Sequence, residues 1–266
     1  MVPAAAAFIT TWLIIFLTDA VISPAGTGFV STGGATRALY GIAADGYLPG
    51  WFLSPSRTKI PKWALLTVFI LGMLYLLPFP TWQSIVSFTT AGRVLTYLVV
   101  GGVAVQALRR TAPDLNRPFK LSAVSVLAPL ASIAASLVIY WAGFGTISKL
   151  FLAAFIGLPI YFGYYAYKRL KVSPGLSLSV GFIDAIAVAL SFTYLYTATR
   201  NLTKPMDLAF WIYIVVIAII TYVSMAVLYR LGTEYLRIEL RAGLWLPTYM
   251  LVIMILSYYG TFGLHR

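Results

Sequence analysis

Apolar runs of about 20 residues, each closed by a turn-rich or basic connection, recur along the whole of this 266-residue chain. A run such as residues 63–78, WALLTVFILGMLYLLP, is one of about eight. No water-soluble core has room for so many, because soluble domains keep roughly a quarter of their residues charged. Here 10% are charged and 61% are hydrophobic. In lipid the backbone must satisfy its own polar groups within each crossing segment, which leaves helices for runs of this length. The reading is therefore an all-α, polytopic transmembrane bundle. Its helices are expected at about 5–43, 63–78, 82–108, 121–142, 147–168, 176–198, 208–229 and 244–263.

The connections are short and hold most of the 19 Lys and Arg, against 7 Asp and Glu. In a soluble chain a net charge of +12 would suggest nucleic acid. Here topology explains the basic residues better, and no nucleic-acid partner is expected. With the amino terminus outside, Arg37, Arg57, Lys59, Lys62, Arg109, Arg110, Arg117, Lys120, Lys168, Arg169, Lys171, Arg230, Arg237 and Arg241 share the cytoplasmic side. Only Lys149, Arg200, Lys204 and Arg266 face the other way, as the positive-inside bias requires. Trp63, Trp82, Trp141, Trp211 and Trp245 fall near the expected helix ends, where amphipathic rings belong. No Lys or Arg precedes the first apolar run, so it reads as a retained span in a multi-pass cell-membrane protein. No linker or soluble domain separates the runs. Residues 1–170 and 171–266 are read as one membrane domain with additional helices at its carboxyl end.

Residues 19–49, DAVISPAGTGFVSTGGATRALYGIAADGYLP, carry the candidate chemistry. Pro24 has no N–H and its ring crowds the Ala20 carbonyl, so a helix here is expected to bend or loosen. At 100° per residue Asp19, Ser23, Thr27, Ser31, Gly34 and Arg37 share a face roughly 120° wide. Such a face is either a wall of a solute or ion path or a close-packing surface for a neighbouring helix. Asp19 is either a path residue or a carboxylate hydrogen-bonded near the outer surface. It lies about 27 Å along the helix from Arg37 and cannot pair with it. Arg93 is the deepest basic residue and is expected to hold an internal network or face the path, with Asp184 a weaker candidate of the same kind. No catalytic set, metal-spaced cluster or cofactor loop occurs, and with no Cys there is no thiolate chemistry. The chain is read as a non-enzyme without cofactor or metal.

The run Thr36-Arg37-Ala38-Leu39-Tyr40-Gly41-Ile42-Ala43-Ala44-Asp45-Gly46-Tyr47-Leu48-Pro49 resembles the end of the eighth transmembrane helix of amino acid permeases. These belong to the amino acid–polyamine–organocation superfamily. The match rests on Arg37, Leu39, Tyr40, Asp45, Gly46 and Pro49, and departs at Gly41-Ile42-Ala43-Ala44. A second matching segment, RRTAPDLNRPFK, supplies Arg109, Pro113, Asp114, Arg117, Pro118 and Phe119. The resemblance covers residues 5 to about 168, and the last three helices resemble only the variable tail of some members.

The resemblance implies a partial five-plus-five inverted-repeat fold and a secondary permease for an amino acid substrate, coupled to Na+ or H+. It raises Ser23, Thr27 and Phe29 as cavity-lining candidates. It also implies that the family's two broken, substrate-binding helices are not among these residues. The chain then reads as a carboxyl-terminal half, not expected to transport alone. The alternative is a non-transporting helical membrane partner or scaffold that completes a separately encoded amino-terminal half.

Overall fold

The computed structural model describes residues 2–54, 60–76, 81–114, 116–119, 121–231, 237 and 243–263. Arg57, Lys59, residues 77–80, Lys120, Arg241, His265 and Arg266 lie outside them. Among the described residues every regular element is helical. Seven segments are long and apolar enough to cross a membrane: Trp12–Ala44, Trp82–Arg110, Val124–Trp141, Phe144–Lys168, Pro174–Ala198, Asp207–Arg230 and Trp245–Phe262. The remaining apolar helix, Lys62–Tyr75, has 14 residues. That is about 21 Å, short of a hydrocarbon core about 30 Å thick.

The chain forms two compact units, Met1–Pro78 and Phe79–Arg266. In the first, α1 (Val2–Ala44) leads through a 3-10 turn (Gly50–Leu53) to α2 (Lys62–Tyr75). Helix α1 runs unbroken past Pro24, which the sequence had suggested as a point of loosening. Proline removes one ladder bond, and the hydrogen bonds on either side hold the rest. Hydroxyls add to that ladder: Thr18, Thr27, Thr32 and Thr36 each donate to the carbonyl four residues back, at 2.7–3.0 Å. A hydroxyl bonded to its own helix is one that lipid can tolerate.

Helix α1 stops in a Schellman motif. Tyr47 N–H reaches Ile42 O at 3.1 Å and Gly46 N–H reaches Ala43 O at 3.0 Å. Gly46 takes φ +85°, a conformation that a side chain disfavours. The turn sends the chain back so that Ala43, Phe52 and Ala64 bury one another, with Leu39, Leu48 and Leu53 around them.

The second unit holds the larger core. Helix α3 (Trp82–Tyr97), capped by Thr81, continues through a π-helical stretch (Leu98–Ala104) into α4 (Val105–Thr111). Arg117 then folds back and donates to the carbonyls of Leu108, Ala112 and Pro113, tying off the end of α4. After α5 (Val124–Trp141), the next span is interrupted. It consists of α6 (Phe144–Phe155), α7 (Gly157–Ile160), a π-helical turn (Tyr161–Tyr165) and α8 (Ala166–Leu170). Pro159 explains the break at Ile156, since it has no N–H for the Phe155 carbonyl. Three helices follow: α9 (Pro174–Ala198), α10 (Asp207–Leu231) and α11 (Trp245–Phe262).

The last three helices share one core with those before residue 170. Phe144, Phe151 and Phe155 pack with Phe210, Tyr213, Met254 and Tyr258, all at or near full burial. Phe210 and Tyr258 stack with ring centres 3.9 Å apart, and Phe144 meets both edge-on. Polar contacts fix the same end of the bundle. Tyr258 donates to Asp207 Oδ1 and accepts from Met206 N–H, both at 2.9 Å, and the Phe144 N–H reaches Thr261 Oγ1.

Candidate functional site

Helix α1 sets Asp19, Ser23, Thr27 and Ser31 at four-residue intervals, one side chain per turn along a single face. All four are exposed, and Phe29 is 82% exposed. Thr27 Oγ1 donates to the Ser23 carbonyl at 3.0 Å, which leaves the threonine oxygen free to accept. Pro24 cannot donate to the Ala20 carbonyl, so that oxygen also lies on this face without its ladder partner. The face thus offers a carboxylate, hydroxyl oxygens and a backbone carbonyl. Such a set is suited to an ammonium group or a monovalent cation rather than to an anion. A Cβ added at Gly26, Gly28, Gly33 or Gly34 would meet nothing within 4 Å. Close packing inside the first unit therefore does not account for these small residues.

In the second unit, Arg93 is exposed. The packed side of α3 is formed by Phe88, Ala91, Val94, Leu95 and Leu98, and the arginine projects away from it.

The most deeply buried charged residue described is Asp184, at 1% exposure in the middle of α9. Ser224 on α10 donates to its Oδ1 at 2.9 Å, and Oδ2 has no partner among the described residues. The hydroxyls of Ser191 and Thr221 are buried on the same two helices. Sequence reading found the aspartate but missed Ser224, 40 residues away, because nothing local sets the register of α9 against α10. The one available signal was a hydroxyl in the later half of a helix expected to run antiparallel. No group of three or more His, Cys, Asp or Glu able to hold a metal ion occurs among the described residues.

Comparison with known proteins decides the family. The model for the amino acid permease family matches residues 2–158, well over half the chain. The chain belongs to the amino acid permease family. Three curated relatives come from Bacillus subtilis (strain 168). The glutamate/serine transporter AimA is 37% identical over 163 residues, 60% of this chain and 30% of the relative. The aspartate-proton symporter is 30% identical over 205 residues, 74% of this chain and 39% of the relative. The branched-chain amino acid permease BcaP is 33% identical over 146 residues, 53% of this chain and 30% of the relative. This family member therefore spans about a third of the length of the curated relatives it matches. No solved structure matches it.

These relatives are carriers and not enzymes, and on that ground the chain is not an enzyme. It is a multi-pass membrane protein of the permease family. The family match takes in α1 to α6 and the start of α7, and so includes both the Asp19–Ser31 face and Arg93.

Proposed function

We propose that these residues supply one part of an amino acid permease, with the exposed polar face of α1 as one wall of the solute path. They do not transport on their own. The observation that carries this reading is that face itself: Asp19, Ser23, Thr27 and Ser31 stand exposed on a helix inside the family-matched region. A polar face at bilayer depth is tolerated where it borders protein or a wet cavity. The covered share of the relatives, about a third, supports the need for further protein to close that cavity. Asp19, Ser23, Thr27, Phe29, Ser31 and Arg93 are the residues assigned to the path. The coupling ion is Na+ or H+, and the amino terminus lies outside.

The test is uptake of labelled amino acids by proteoliposomes. The chain alone gives no saturable uptake above empty vesicles. Co-reconstituted with the remaining portion of a homologous permease, it gives uptake that Ser23→Ala or Thr27→Val lowers at least tenfold. Saturable uptake by the chain alone overturns the dependence on a second portion. Unaltered uptake in both variants overturns the role of the face. Stable co-purification with that portion, without uptake, favours the scaffold reading.

A further inference from the structure

The break in the α6–α8 span opens a groove that the transport reading does not use. Below the break, α9 comes very close. A Cβ added at Gly181 would lie 2.9 Å from both Gly163 Cα and the Pro159 carbonyl oxygen. Gly181, with no side chain, allows the two backbones to approach so far. Helix α9 packs mainly on α7 and the π-helical turn, and touches α6 far less. The gap is an apolar groove of about 400 Å³ lined by Leu152, Ile156, Pro159, Ile160, Ala185 and Phe192, among others. Val188 is buried at its floor, while Ile156 and Ile160 are about half exposed at its rim.

A basic turn lies on the other side of that crossing. Lys168, Arg169 and Lys171 fall within four consecutive positions where α8 leads into α9. Lys168 and Lys171 are exposed. Ile160 is about 12 Å from Lys168 at 1.5 Å per residue, and Leu152 about 24 Å. One leaflet of hydrocarbon is about 15 Å deep. A phospholipid whose phosphate sits level with Lys168 therefore brings the end of a tail to the Ile160 end of the groove. Basic clusters beside transmembrane helices select anionic headgroups.

We propose that the groove between α6–α7 and α9 holds one acyl chain of an anionic phospholipid, whose headgroup is bound by the basic turn at residues 168–171. The apolar lining excludes a polar solute, and the charge at the α8–α9 turn selects the lipid class. This reading is independent of the transport reading, because both elements lie within the second unit.

The experiment uses the full chain in phosphatidylcholine vesicles doped with phosphatidylglycerol or phosphatidylcholine spin-labelled near the tail end. The motionally restricted fraction is read by electron paramagnetic resonance. Restricted phosphatidylglycerol should exceed restricted phosphatidylcholine several-fold, and Lys168→Gln with Lys171→Gln should remove that preference. Ala189→Trp should release the restricted tail by filling the groove. Ala189 is exposed, so the substitution leaves the fold intact, and circular dichroism checks this. Equal restriction of the two lipids overturns the proposal, as does preference that survives the double variant or restriction that survives Ala189→Trp. A purified chain that is dimeric, and becomes monomeric on Ala189→Trp, overturns it in favour of a second copy as occupant.

Discussion

The first unit and the second are both helical and apolar, yet they hold themselves together by different means. Helix α1 is the longest among the described residues at 43 residues, and none of its most apolar window is buried. Its tertiary core is a small cluster at its carboxyl end. In the second unit, the corresponding share reaches 39% in Trp245–Phe262, and aromatic rings from three helices interlock. The contrast shows that a helix in this chain needs no neighbour to form. Its ladder is internal, whereas its position depends on shape-matched side chains.

Paired truncations break this comparison most directly. Phe210→Ala opens a cavity beside Phe144 and Tyr258 and should cost about 3–5 kcal/mol, read as earlier unfolding in mixed micelles. Phe29→Ala on α1 should change the same reading by less than about 0.5 kcal/mol. A comparable loss in both would mean that α1 is packed as tightly as the second unit.

Overfilling should come next in size. Gly181→Val drives a side chain into Gly163 and the Pro159 carbonyl, and should cost about 1–3 kcal/mol or more. Cross-linking between cysteines introduced on α7 and α9 would report the separation, and unchanged cross-linking would count against a tight crossing.

Polar deletions sharpen the contrast. Ser224→Ala takes away the single described donor to a buried carboxylate and should cost about 1–3 kcal/mol. The smallest effect is expected from Thr27→Val, which keeps the shape of an exposed side chain. It should shift stability by less than about 0.5 kcal/mol in the isolated chain, so any large effect would have to appear in uptake.

Much of the fold was readable from the residues. Seven of the eight expected spans occur as helices long and apolar enough to cross a membrane, because run length and internal hydrogen bonding are local properties, while the one expected at 63–78 is the 14-residue helix Lys62–Tyr75, too short to cross. The terminator of α1 was also readable in part: Asp45-Gly46 marked the exit, and Gly46 supplies the positive φ of the motif. Three features were not legible. Arg93 looked deep in the bilayer from its position, but which side of α3 it occupies depends on which side packs. The interruption of the fifth span at Ile156 was hidden in a run of apolar residues, although Pro159 was its signal. Segment RRTAPDLNRPFK looked like a family signature, and its Arg117 turns out to close off carbonyls at the end of α4.

Sequence alone determined that the chain lives in lipid, roughly where its apolar helices lie, and that Asp19, Ser23, Thr27 and Ser31 share a face. Each of these follows from apolar transfer or from hydrogen bonds a few residues apart. Tertiary structure decided that Asp184 meets Ser224, that the last three helices join the main core, and that a groove opens where α9 crosses the broken span. Those outcomes rest on the register between distant helices. Register is set by where two glycines allow backbones to touch and by how rings from three helices fit together, and neither is encoded in any single segment.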